Sequence, residues 1–175
     1  MQLAQQGNIA ISEADHLSIL SAKTAALFSC ASELGAVIAE HSEWREALRA
    51  YGTSIGLAFQ LVDDALDYSA DQKTLGKTVG DDFREGKITM PVIIAYAAAE
   101  TDEKAFWERA MAREQNANDL AQANAYLHHH QALKKTIERA REQSESAKQV
   151  LAPLPATLAR EAMFELADFC IARAY

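Results

Sequence analysis

Apolar residues recur at intervals of three and four along almost the whole 175-residue chain, and no useful stretch alternates apolar with polar. That regularity argues against a sheet and predicts an all-α fold. Composition agrees, because Ala is abundant while Gly and Pro number 7 and 3. Ser12 with Asp15 reads as a capping box that opens a helix to about Glu40. Its stripe is Leu17, Leu20, Thr24, Leu27, Phe28, Ala31 and Val37/Ile38. Ser42 caps a second helix, with stripe Trp44, Leu48, Tyr51, Ile55, Phe59, Val62 and Leu66.

The polar segment SADQKTLGKTVGDD breaks the pattern at Gly76 and Gly80 and reads as a functional loop. Thr89 with Pro91 starts a helix through the Ala-rich region, and Thr101-Asp-Glu caps one from Phe106 to about Arg113. Further helices are expected near Asn118–His128, Gln131–Leu151 and Ala156–Arg173, the last two parted by Pro153-Leu-Pro155. The expectation is a helical bundle of about seven helices in one domain, residues 1–175.

Charge and cysteines exclude several functions. The net charge is −8 with no basic run, which argues against a nucleic-acid groove. Cys30 and Cys170 are far apart and form no CxxC, so both read as buried, reduced thiols of a cytoplasmic protein. The longest apolar run, Pro91–Ala99, is too short to span a bilayer, and the start MQLAQQGN has no signal-peptide pattern.

The chemistry concentrates in FQLVDDALD, Phe59 to Asp67. At about 100° per residue, with Phe59 at zero, Asp63 falls near 40° and Asp67 near 80°, beside an apolar stripe centred near −50°. Two carboxylates one turn apart at the edge of a core need a compensating cation. Mg²⁺ fits, because it takes one or two carboxylates and completes its shell with water and phosphate oxygens. Gly52 and Gly56 fall on the same line and read either as close helix packing or as a trough that admits ligand. Lys23, Lys73, Lys77, Arg84 and Lys87 could supply cations for phosphate work, although each lysine taken singly reads first as a surface charge. Gly76-Lys-Thr78 is no P-loop, since Asp71 stands where that motif needs Gly and no strand precedes it. Three consecutive histidines, His128 to His130, cannot share one helix face and read as a solvated helix end.

FQLVDDALDY followed by LGKTVGDDFREGKITMPVI resembles the second aspartate-rich region of trans-polyprenyl diphosphate synthases. SAKTAALFSCASELGAVIAE is similar to the lysine-threonine helix that precedes it there, and FELADFCIAR to the terminal helix. Bacterial octaprenyl to decaprenyl synthases look most similar. The resemblance implies the C-terminal half of an isoprenoid-synthase fold. It implies that Asp63 and Asp67 hold Mg²⁺ against an allylic diphosphate, with Asp64 supporting the charge network. Lys23, Lys77 and Lys87 would contact that diphosphate, Thr24 and Gln60 would position the allylic substrate, and Phe59 would pack near the isopentenyl group of isopentenyl diphosphate.

The family's first aspartate-rich motif has no counterpart here, because Asp15, Asp102 and Asp119 are isolated. The expectation is therefore a chain with half of the metal site and little synthase activity alone. It would act as a homo-oligomer or with a partner chain that supplies N-terminal helices. A non-catalytic partner of a full-length synthase is the alternative, and a class I terpene cyclase fits the GDDFREGK segment less well. In the family this chain resembles, product length depends on residues before the first aspartate-rich motif.

Overall fold

The computed structural model describes residues 8–69 and 79–174, and no strand occurs among them. The all-α expectation holds. The chain divides into two compact units, one of Met1–His16 with Asp63–Thr136, the other of Leu17–Val62 with Ile137–Tyr175.

In the first unit, Ser12 Oγ accepts the Asp15 N–H at 3.1 Å and donates to the Asp15 carboxylate at 2.7 Å. This caps α1 (Glu13–Leu20), as the sequence predicts. The unit continues through the end of α3 (Arg45–Leu66), the short α4 (Asp81–Arg84), α5 (Met90–Ala98), α6 (Thr101–Met111) and α7 (Asp119–His129). It ends in the first turn of α8 (Ala132–Leu151). Met90 to Ala95 of α5 are all buried, so this helix is apolar all round and central. Trp107, Phe83 and Leu127 complete the core. Arg109 clamps the N-terminus of α7 through two hydrogen bonds to Asp119, at 2.7 and 3.0 Å. Helix α6 starts at Thr101, preceded by Glu100 in extended conformation, so Thr101 lies inside the helix rather than capping it.

In the second unit, the helix expected to reach Glu40 is interrupted. A π-helical turn at Ser21–Ala25 separates α1 from α2 (Ala26–Ile38). A 3-10 turn at Ser42–Trp44 leads into α3, and His41 before it contributes no side-chain cap. Tyr51 and Ile55 of α3, Ala147 and Leu151 of α8, and Ala167 and Cys170 of α9 (Leu158–Ala172) form the core. Two side-chain hydrogen bonds to its backbone lock α9: Tyr51 Oη donates to Met163 O at 2.9 Å, and buried Ser144 Oγ to Ala167 O at 2.8 Å.

The two glycines of α3 are packing residues. A Cβ on Gly52 would sit 2.7 Å from Ser29 Cα, and one on Gly56 would sit 2.6 Å from Ala25 Cα. The backbone of α2 and of the π turn therefore fills the supposed trough, and the ligand reading of Gly52 and Gly56 is withdrawn. Cys170 is buried as expected, but Cys30 is exposed. It lies about 200° round α2 from Phe28, whose backbone faces Gly52. Leu27, Val37 and Ile38, assigned to a buried stripe, are exposed as well.

Candidate active site

The acidic end of α3 carries Asp63 and Asp64, and Asp67 follows one residue beyond it. The Asp67 N–H still bonds to Asp63 O at 3.1 Å, so Asp67 keeps the helical register. Asp63 and Asp67 are half-buried on one line, while Asp64 turns inward and is buried. Asp64 Oδ2 lies 3.8 Å from the buried His16 Nε2. His16 carried no local signal in the sequence. Its partner is 48 positions away, and only packing joins them.

Asp67 is also the anchor of the chain that returns to it. Gly80 donates to Asp67 O at 2.7 Å, and the Asp82 N–H donates to Asp67 Oδ2 at 3.0 Å. Gly80 makes this turn at φ 81, a left-handed conformation that suits glycine. The consequence is electrostatic. Burial, with the neighbouring Asp82 and then Asp81 carboxylates, pushes the Asp67 carboxyl up to about 6.

The cations of this segment are engaged with its own acids. Lys87 Nζ lies 2.9 Å from both Asp82 Oδ1 and Glu85 Oε2, which holds its ammonium well above the ordinary lysine range. Arg84 pairs with Asp81 at 2.6 Å and donates to Val79 O at 2.6 Å. Lys73 and Lys77 lie outside the described residues.

The remaining candidates belong to the second unit. Lys23 is exposed on the π turn, and half-buried Thr24 on that turn donates to Gln60 Oε1 at 3.0 Å. Single π turns frequently mark functional sites, and periodicity in the sequence does not reveal one. Phe59 packs against Phe28 with ring centroids 5.7 Å apart, and the Arg173 guanidinium lies 4.6 Å from the Phe59 ring centroid. The structure thus brings together Thr24 with Gln60 and Phe59 with Arg173. It separately brings Asp67 together with Asp82 and Asp82 with Lys87.

Comparison with known proteins decides the family. The polyprenyl synthetase family model matches residues 1–127. The chain belongs to the polyprenyl synthetase family. An octaprenyl diphosphate synthase of Haemophilus influenzae is 35% identical over 99% of the chain and 53% of its own length. A decaprenyl diphosphate synthase of Rhodobacter capsulatus superposes with a TM-score of 0.91 at 41% identity, covering 99% of this chain and 54% of that one. A polyprenyl synthase of Caulobacter crescentus, solved with calcium and isoprenyl diphosphate, has a TM-score of 0.91 at 47% identity, with coverage of 99% and 54%. The chain spans about half the length of the curated relatives it matches. Among the described residues, no helix is long and apolar enough to cross a membrane.

The acidic cluster fits the magnesium that the family implies. Asp63 and Asp67 offer only oxygen donors, from one side of a helix. Burial first, and then the Asp82 and Asp81 carboxylates, raise Asp67, and an added cation there would offset both.

Proposed function

We propose that this chain supplies the second aspartate-rich half of a trans-prenyltransferase site, which extends an allylic diphosphate by one isopentenyl unit. The observation that carries the reading is the pair Asp63 and Asp67 on one helical line, with Asp67 pushed up to about 6 by burial and by acidic neighbours. In a member of this family, a position built so much against its own negative charge reads as a cation site.

Asp63 and Asp67 would hold Mg²⁺, and buried Asp64 supports them from beneath. Bound there, the ion supplies charge neutralisation for a departing diphosphate. Lys23 and Lys77 are assigned to the diphosphate oxygens as point charges. Lys87 joins them only on exchanging Asp82 and Glu85 for the substrate. Thr24 and Gln60, bonded to each other, orient the allylic chain. Phe59 offers an apolar face that keeps water from the reacting carbon. In the reaction, the C–O bond to diphosphate breaks and the isopentenyl double bond forms the new C–C bond. A proton then passes to the departing diphosphate.

These 175 residues contain one DDxxD, so we expect little or no condensation from them alone. An assay with Mg²⁺, farnesyl diphosphate and isopentenyl diphosphate tests this. Robust turnover by the pure chain would overturn it. Restored turnover on mixing with a chain that carries the first aspartate-rich motif would support it.

Exposed Leu27, Leu34 and Ile38 on α2, with Leu158, Leu166 and Phe169 on α9, favour work alongside further helices, from a second copy or a partner chain. Light scattering distinguishes these from a monomer. Co-purification with a full-length synthase, without a gain in turnover, would favour a regulatory subunit instead.

A further inference from the structure

His128, His129 and His130 stand at the end of α7, where a continuing helix would splay three imidazoles about 100° apart. The helix does not continue. His129 is its last residue, His130 caps it at φ −84 and ψ 2, and Gln131 turns left-handed at φ 53. The rings of His129 and His130 lie 4.8 Å apart between centroids, at 71° to each other. They meet Glu103 in the first turn of α6, where His130 Nε2 lies 2.6 Å from Glu103 Oε2. One ligand atom from each of Glu103, His129 and His130 lies within 4.8 Å of the others. His130 and Glu103 are mostly shielded, and His129 is exposed. His129 also lines an open cavity with Tyr68, Asn124 and Lys134, which gives a hydrated ion a way in.

We propose that Glu103, His129 and His130 form a binding site for a divalent transition-metal ion, with Zn²⁺ as the natural probe. The donor set decides the class of ion. Two imidazoles and one carboxylate suit Zn²⁺ and its borderline neighbours, whereas Mg²⁺ and Ca²⁺ prefer oxygen ligands throughout. Tetrahedral Zn²⁺, with ligand lengths of about 2.0–2.1 Å, spaces its donors roughly 3.3 Å apart. The 2.6 Å His130–Glu103 contact is closer than that and the widest donor gap is wider. An ion there would separate His130 from Glu103 and draw the exposed His129 ring towards them. Three protein donors leave the fourth position to water. The ion ties the start of α6 to the end of α7 and is independent of the carboxylates of α3.

The test uses the whole chain with Mg²⁺ in large excess, so that the α3 carboxylates are already served. Zn²⁺ titration by calorimetry should show one saturable equivalent, and Co²⁺ should give the intense visible absorption of a tetrahedral site. His129→Ala and Glu103→Gln should each weaken Zn²⁺ at least tenfold and abolish the Co²⁺ band, while Asp63→Ala leaves both unchanged. His129 is exposed, so its removal should preserve the helical circular dichroism spectrum. The absence of a Zn²⁺ equivalent above the Mg²⁺ background overturns the proposal. So does unchanged Zn²⁺ affinity in folded His129→Ala.

Discussion

Two carboxylates show how the two units use negative charge. Glu33 on α2 sits between Arg45 and Arg49 of α3, with guanidinium contacts at 2.7 and 2.6 Å. Hydrogen bonds from Arg49 and then Arg45 hold its carboxyl at about 2, far below the ordinary 4.5. Asp67 is pushed the opposite way, from 3.8 to about 6, by burial and by Asp82. The first carboxylate is satisfied by the chain and serves the fold. The second strains the fold, and that strain is rational when a cation from outside completes the site. Removing each should therefore produce opposite consequences.

The largest expected effect is on binding. Asp63→Ala or Asp67→Ala should weaken Mg²⁺-dependent pyrophosphate binding about 100-fold, or about 2.7 kcal/mol. Glu33→Gln should leave it unchanged. Equal losses in calorimetric titrations of all three variants would erase the distinction.

Next is the close approach that makes the Glu33 cluster possible. Gly52→Val forces its side chain into the α2 backbone and should cost about 2–3 kcal/mol in urea unfolding. With α2 displaced, the Glu33 carboxyl should return towards 4.5 in a carbon-detected NMR titration. A Glu33 value still near 2 would mean that the arginines follow the carboxylate without help from the packing.

The pH dependence separates the two carboxylates further. Asp67 has a folded value above its ordinary one, so its protonated form suits the fold. Its contribution to stability is greatest below 3.8 and declines as pH rises through about 6. Metal-free Asp67→Asn should lack that decline and be more stable near pH 8, by about 1 kcal/mol after solvent screening. An unchanged profile would remove the electrostatic case for an external cation.

The smallest effect belongs to Glu33. Its folded value is depressed, so its contribution is complete above 4.5 and is lost as pH falls through about 2. Glu33→Gln should flatten the acid limb of unfolding in that window, and added salt should shrink the difference between the two proteins. A steep limb in the variant would assign acid sensitivity to other carboxylates.

Much of this was legible in the sequence. The capping box at Ser12 and Asp15, the ends of α7, α8 and α9, and the shared face of Asp63 and Asp67 all follow from spacing. Helical geometry fixes those relations within a few residues. The π turn under Lys23 and Thr24 was not legible, because inserting a residue into a helix leaves composition and period nearly unchanged. The meaning of Gly52 and Gly56 was open until the backbone of α2 occupied their flank. Three histidines looked incompatible with one face, yet the rings of His129 and His130 meet, and Glu103 of α6 joins His130.

The sequence by itself determined an all-α chain, the family to which it belongs, and a line of carboxylates at the edge of a core. Only the tertiary structure decided which charges are answered inside the molecule. Glu33 meets Arg45 and Arg49, Lys87 meets Asp82, and His16 approaches Asp64 across 48 positions. The physical reason is range. Helix periodicity is set by neighbours three and four residues away, whereas the field at a carboxylate is set by whatever the fold packs beside it.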